Sequence, residues 1–259
     1  MPAAVLVIVF LYAPLLVVVV YAFNNGRNLT WPPQGFSFRW FEHIFSDPNF
    51  RSALLLSFLT AGLAAIIASS IGTVAAVVFM RNGGRTVRIS ELLGRLPVAI
   101  PPLLIGIGLV SFMKVTGIQP GPVTIVAGQA ILAVPFVIIV VSAALRNYDL
   151  ELESAARDLG APPGQIVRRI TLPLIGPAIL GATLLAFAIS FDEVLLTNFT
   201  SGVSTTVPLY IFGLIRRYID PSVNAVAAIL MLIPWLAILI SSLVLRRTGA
   251  TSSMLDGGH

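Results

Sequence analysis

The 259-residue chain has no cysteine, a single lysine, Lys114, and only two histidines, His43 and His259. The first absence excludes a disulfide framework, a thiolate metal site and a cysteine nucleophile. Two histidines so far apart in sequence give no basis for a zinc site, which needs more ligands. No glycine-rich loop ending in Lys-Ser or Lys-Thr is present, so the chain has no phosphate cradle with which to hydrolyse ATP by itself. Charge is scarce as well. Charged residues make up 10% of the chain, against roughly 25% in a soluble domain, so water is not its main solvent. Also missing are the segments of about ten alternating apolar and polar residues that a transmembrane barrel requires.

What is present is long apolar runs. Hydrophobic residues are 57% of the chain and the mean hydropathy is +0.95. The runs reach about twenty residues, enough as helices to cross a hydrocarbon core of roughly 30 Å. Six candidate spans follow, at 5–23, 54–79, 96–113, 123–145, 174–196 and 226–245. The third begins among Pro97, Pro101 and Pro102 and contains Gly106 and Gly108, which predicts a bent helix. The first begins almost at Met1 with no basic stretch before it and no small-residue cleavage site, and reads as a retained span. The expected fold is all-α: one polytopic membrane domain over residues 1–259, a six-helix bundle without internal repeats.

Six spans place both termini on one side. Arg81, Arg85, Arg88 and Arg95 lie between spans two and three, Arg146, Arg157, Arg168 and Arg169 between four and five, and Arg246 and Arg247 after the sixth. The other side holds Arg27, Arg39, Arg51, Lys114, Arg216 and Arg217, a smaller set, so the bias puts the termini in the cytoplasm. Topology accounts for the net charge of +5 better than a nucleic-acid partner does.

The loop between spans four and five is long and charged. Asp149 suits an N-cap, Glu151 and Glu153 favour a first turn, and Gly160 followed by Pro162 and Pro163 ends the segment, predicting a short surface helix over 149–160. Ala155, Ala156 and Leu159 form a small apolar stripe on it. Such a helix either docks in a partner's groove or rests on lipid headgroups.

The spacing beyond that stripe is more specific. Ser154-Ala155-Ala156, then Gly160, Ile170 and Leu172-Pro173 resemble the signature loop of the permease subunits of type I ABC importers: Glu-Ala-Ala, three residues, Gly, nine residues, Ile, one residue, Leu-Pro. The family's glutamate falls on Ser154, with Glu153 one residue earlier and about 100° round a helix. The resemblance implies a fold of the methionine-importer type and makes this loop the coupling helix that seats in an ATPase subunit. Glu153, Ser154, Ala155, Ala156, Asp158, Leu159 and Gly160 are then the candidate contacts. It further implies a second, similar permease subunit, two ATPase subunits that bind ATP and Mg, an external substrate-binding protein, and the bacterial inner membrane. No cofactor is expected in this chain.

Weaker blocks extend the likeness to the second permease subunit of spermidine/putrescine-type importers: Leu11-Tyr-Ala-Pro14, Phe38-Arg-Trp-Phe41, Ser190-Phe-Asp-Glu-Val194 and Val207-Pro-Leu-Tyr-Ile211. Asp192 and Glu193 stand out without any family argument. An acidic group at the bilayer centre costs roughly 2.5–3.5 kcal/mol on insertion scales, so these carboxylates face the bundle or the outer interface. Two readings stand: attraction of a cationic substrate, or a structural role in which they pair with Arg216 or Arg217 or simply reach headgroup water. Trp40 offers either a cation–π face or an interfacial anchor, and Tyr210 the same pair of roles. Pro102 stands where some polyamine-type relatives carry an acidic residue, which keeps open another small cationic or zwitterionic solute such as an opine or amino-acid derivative. An intramembrane aspartyl enzyme would need a second carboxylate from another helix, which the other spans do not supply. A secondary transporter or channel would use the carboxylates but leaves the signature loop unexplained.

Overall fold

The computed structural model describes the backbone of residues 2–27, 30–81, 89–92, 94, 96–147, 149, 151–217 and 221–247. Arg85, Arg88, Arg95 and His259, named above, lie outside the described residues. Among the described residues the elements are helices, with one isolated bridge between Asn24 and Phe36. We number them α1 (Pro2–Ala22), α2 (Arg39–Ser46), α3 (Pro48–Arg81), α4 (Pro102–Thr116), α5 (Pro122–Arg146), α6 (Glu151–Asp158), α7 (Gly176–Phe191), α8 (Leu195–Thr200), α9 (Val207–Arg217) and α10 (Ser222–Arg247).

Helices α1, α3, α4, α5 and α10 overlap five of the expected apolar runs, with ends shifted by up to six residues. Among the described residues α3 and α5 are each long and apolar enough to cross a membrane, and two bent helix pairs raise the number to four if each is one span. The bend predicted near the third span is present. A short 3-10 turn over Leu96–Ala99 stops before Pro101, which is extended at φ −55° and ψ 134°, and α4 starts on Pro102 at its first position. Proline there forgoes an N–H that no intrahelical carbonyl would have used. The fifth span departs from expectation. It is not one helix over 174–196: Pro163–Leu174 turns through 68° into α7, and α7 ends at Phe191, two residues before Glu193. Within the first limb lies a π turn over Val167–Thr171, just ahead of Pro173. A proline ring clashes with the carbonyl four residues before it, and widening the preceding turn relieves that clash.

The described chain groups into two compact units. Residues up to Phe58 with Ser204–Leu236 form one, and Leu59–Val203 with the residues from Ala237 form the other. In the first, Trp40, Ile44 and Phe50 pack with Ala22, Val207 and Val226. In the second, α3, α5 and α7 meet through small residues: Ala65, Ala68 and Ala76 against Ala133, Val137, Ala182 and Ala186. Lipid tails are as apolar as leucine, so close backbone approach rather than burial from water holds such helices together. Gly72 shows how close: a Cβ there would stand 2.7 Å from Val137 Cβ. Ser69 and Thr183 add a hydroxyl–hydroxyl hydrogen bond of 2.7 Å across the same contact.

Candidate functional site

The predicted surface helix is α6, and both of its ends are built as the sequence suggested. Asp149 Oδ1 accepts the N–H of Glu151 at 2.9 Å, satisfying one of the helix's free donors. At the other end Gly160 takes φ +83°, the Ala161 N–H donates to Ala156 O at 3.0 Å, and the Gly160 N–H donates to Arg157 O at 2.9 Å. This pair of bonds is a Schellman cap, which turns on a left-handed residue that glycine adopts at no steric cost.

Between its caps α6 sorts its side chains sharply. Ser154, Ala155, Asp158 and Gly160 are exposed, Ala156 is half-buried, and Leu159 is 89% exposed. Leu152, 48% exposed, extends the apolar stripe one turn back; the i, i+3, i+7 spacing of Leu152, Ala155 and Leu159 was a signal that sequence reasoning passed over. Leu152 and Leu159 thus present apolar side chains outward on an otherwise polar helix. Glu153 is the exception among the candidate contacts: it is 4% exposed and turned inward. Its Oε1 accepts hydrogen bonds from Arg81 Nη2 at 2.7 Å and from Thr171 Oγ1 at 2.6 Å.

The carboxylates of the fifth span sit in the break between α7 and α8. Asp192 is the exposed C-cap of α7, and its backbone N–H donates to Ala188 O. Glu193 is half-buried, and its Oε1 accepts the Leu196 N–H at 2.7 Å, capping α8. Neither carboxylate takes part in an ion pair among the described residues. The two adjacent acids therefore have different surroundings: one free, one committed to the backbone.

Trp40 and Tyr210 belong to the other unit, Trp40 buried and Tyr210 half-buried. Trp40 is 6% exposed; its Nε1 donates to Asn24 O at 2.7 Å, and the Arg39 guanidinium covers its ring at 4.9 Å. The expectation that it offers an open face to an ammonium group does not hold in this structure: it is a core residue of the segment that folds back after α1. The hydroxyl of Tyr210 donates to Asp47 Oδ2 at 2.6 Å and its ring tilts against Phe50. That hydrogen bond holds the Asp47 carboxyl below its ordinary value. Neither partner, 16 and 163 residues away, has a local sequence signal.

Helix α6, capped at both ends and largely exposed, lies in the chain between α5 and the bent segment that leads into α7, in an apolar helical chain of membrane-protein composition. Residues 68–249 match the family of binding-protein-dependent transport system inner membrane components, and the chain belongs to it. It is a multi-pass membrane protein and the permease component of an ABC importer. It is 36% identical over 231 residues to the putrescine transport system permease protein PotI of Escherichia coli (strain K12), covering 86% of this chain and 82% of that relative. It is 31% identical over 240 residues to the spermidine/putrescine transport system permease protein PotC of Haemophilus influenzae, covering 92% and 93%. The inward-facing MetNI methionine ABC transporter aligns with a TM-score of 0.65 at 19% identity, over 82% of this chain and 99% of that one. The fold is that of the type I importer permeases.

Proposed function

We propose that this permease imports polyamines, spermidine or putrescine, and that it acts as a single membrane domain forming half of a translocation pathway with a second, similar permease. Two ATPase subunits carry the ATP and Mg, and an external binding protein delivers the substrate. The relatives named for putrescine and spermidine transport support the substrate class. The chain sits in the bacterial inner membrane with its termini in the cytoplasm, on the side of α6, following the excess of basic residues in that loop and beside α3. Asp192 and Glu193 attract the ammonium groups of the substrate, Asp192 foremost because its carboxylate is exposed and unpaired.

The observation that carries the coupling role is the exposed stripe of Leu152, Ala155 and Leu159 on a helix capped at both ends. A groove in an ATPase subunit takes it up. ATP binding then draws the ATPases together and moves the permeases as rigid bodies between inward- and outward-facing states, and hydrolysis resets them. The absence of native cysteine makes the test clean. Leu159→Cys in the assembled importer is expected to cross-link to the ATPase, whereas Glu153→Cys, buried at the same helix, is not. A Leu159→Cys variant that reacts with lipid-phase probes but never with the ATPase would overturn the assignment in favour of a helix resting on the membrane.

One observation favours a second substrate reading. Pro102 opens α4 where an acidic side chain would offer another amine contact, which suits a solute with fewer or more widely shielded charges, such as an opine or amino-acid derivative.

A further inference from the structure

Helix α6 has eight residues, too few to hold together or hold position by itself in water. Its caps define where it starts and stops, not where it sits. Among its residues Glu153 alone is buried, so the position of the docking surface depends on what that side chain grips.

It grips two segments distant in sequence. Arg81, the last residue of α3, places Nη2 2.7 Å from Glu153 Oε1; Thr171, in the π turn at the base of the fifth span, donates to the same oxygen at 2.6 Å. Arg81 Nη2 also donates to Thr171 Oγ1 at 2.9 Å, so the three groups close a ring. Glu153 Oε2 is 3.5 Å from Arg157 Nη2, one turn along α6. Thr171 is 1% exposed and the Arg81 side chain 26% exposed. Charge-assisted hydrogen bonds in such sheltered surroundings are short, directional and little screened by salt. Glu153, the most buried charge of the three groups, would lose its two shortest hydrogen bonds with Arg81 and Thr171, and a buried charge stripped of partners is strongly unfavourable.

We infer that Glu153, Arg81 and Thr171 form a latch that fixes the coupling helix to the inner ends of the second and fifth spans, making Glu153 a positioning residue of coupling rather than an ATPase contact. This rests on the reading that α6 docks on an ATPase. Motion of the ATPase against the exposed stripe passes through one ring of hydrogen bonds into two spans, α3 at its last residue and the fifth span at its π turn. Ser154, about 100° further round the helix, is exposed, so the two neighbouring side chains face opposite surroundings.

The experiment compares substrate transported per ATP hydrolysed in the reconstituted importer for wild type, Glu153→Ala, Arg81→Ala and the exchanged pair Glu153→Arg with Arg81→Glu. Either single change is expected to lower that ratio about tenfold, with the exchanged pair recovering to within about threefold of wild type, as an energetically coupled pair should. A residue that merely stabilises the fold would lower the amount of importer and leave the ratio unchanged. Unchanged ratios in both single variants would overturn the latch, and so would an exchanged pair whose loss is the product of the two. Should Glu153→Ala fail to reach the membrane, Thr171→Val, isosteric and lacking only the hydroxyl's hydrogen bonds, supplies the same comparison. Cross-linking from Leu159→Cys separates the two readings: it persists if only the latch is wrong and is absent if α6 does not meet the ATPase at all.

Discussion

Replacing Gly160 by valine is expected to leave the subunit inserted and assembled while cutting uptake about tenfold or more, with ATP hydrolysis continuing. The reason lies in the backbone. At φ +83° glycine is at ease, but an L-residue with a branched Cβ is opposed by its own carbonyl, at roughly 1–2 kcal/mol or more. A Cβ at this position would meet nothing within 4 Å, so crowding contributes nothing to the effect. The strain is relieved by giving up the left-handed turn, and with it the bonds from Ala161 to Ala156 and from Gly160 to Arg157. Helix α6 then frays beside Leu159, the residue with most to offer a partner. Asparagine tolerates the left-handed conformation better than other side chains, so Gly160→Asn should keep most of the uptake. Full uptake by Gly160→Val would show that the Schellman turn is dispensable for coupling.

The second large effect concerns the acidic pair, and the structure makes it asymmetric. Asp192→Asn removes an exposed, unpaired charge and nothing else visible, so the KM for a doubly or triply charged amine should rise about tenfold, some 1.4 kcal/mol of lost attraction. Glu193→Gln also removes a charge but keeps a carbonyl oxygen that can accept the Leu196 N–H, so α8 should stay capped. Glu193→Ala loses charge and cap together and should lower the amount of stable protein as well as uptake. Measuring KM and maximal rate at two salt concentrations checks the origin of these effects, because attraction to an exposed carboxylate weakens as the Debye length shortens. If Asp192→Asn and Glu193→Gln both transport with wild-type KM, the carboxylates serve the helix break alone.

Much of this was legible in the sequence, for identifiable reasons. Runs of about twenty apolar residues state their own solution in lipid; α5 falls within one residue of the expected limits at each end, and α3 begins six residues early. Prolines announce a bend, and Pro101 with Pro102 supply one. The ends of α6 could be read because caps are local: Asp149 acts two residues away and Gly160 on its own turn. What stayed hidden depends on partners far along the chain. Trp40 and Tyr210 are aromatic residues between spans, equally suited by type to a site, a membrane anchor or a core; their bonds to Asn24 O and the Asp47 carboxylate could not be read from the sequence. Glu153 could be placed on a helix but not on a face, since Arg81 is 72 residues before it. The break after Phe191 carried no glycine or proline. The carboxylate that caps α8 was there to be noticed, yet acids in an apolar run point as readily to a substrate as to a helix end.

The measurement that tests the central claim most directly is ATP-dependent uptake of radiolabelled spermidine and putrescine into vesicles. The permease, its partner permease, the ATPase and the binding protein would be co-expressed, with and without this chain. The account predicts uptake of at least one of the two amines that requires ATP and disappears when this chain is left out. An importer that assembles and hydrolyses ATP with this chain present, yet admits neither amine, would contradict the polyamine assignment.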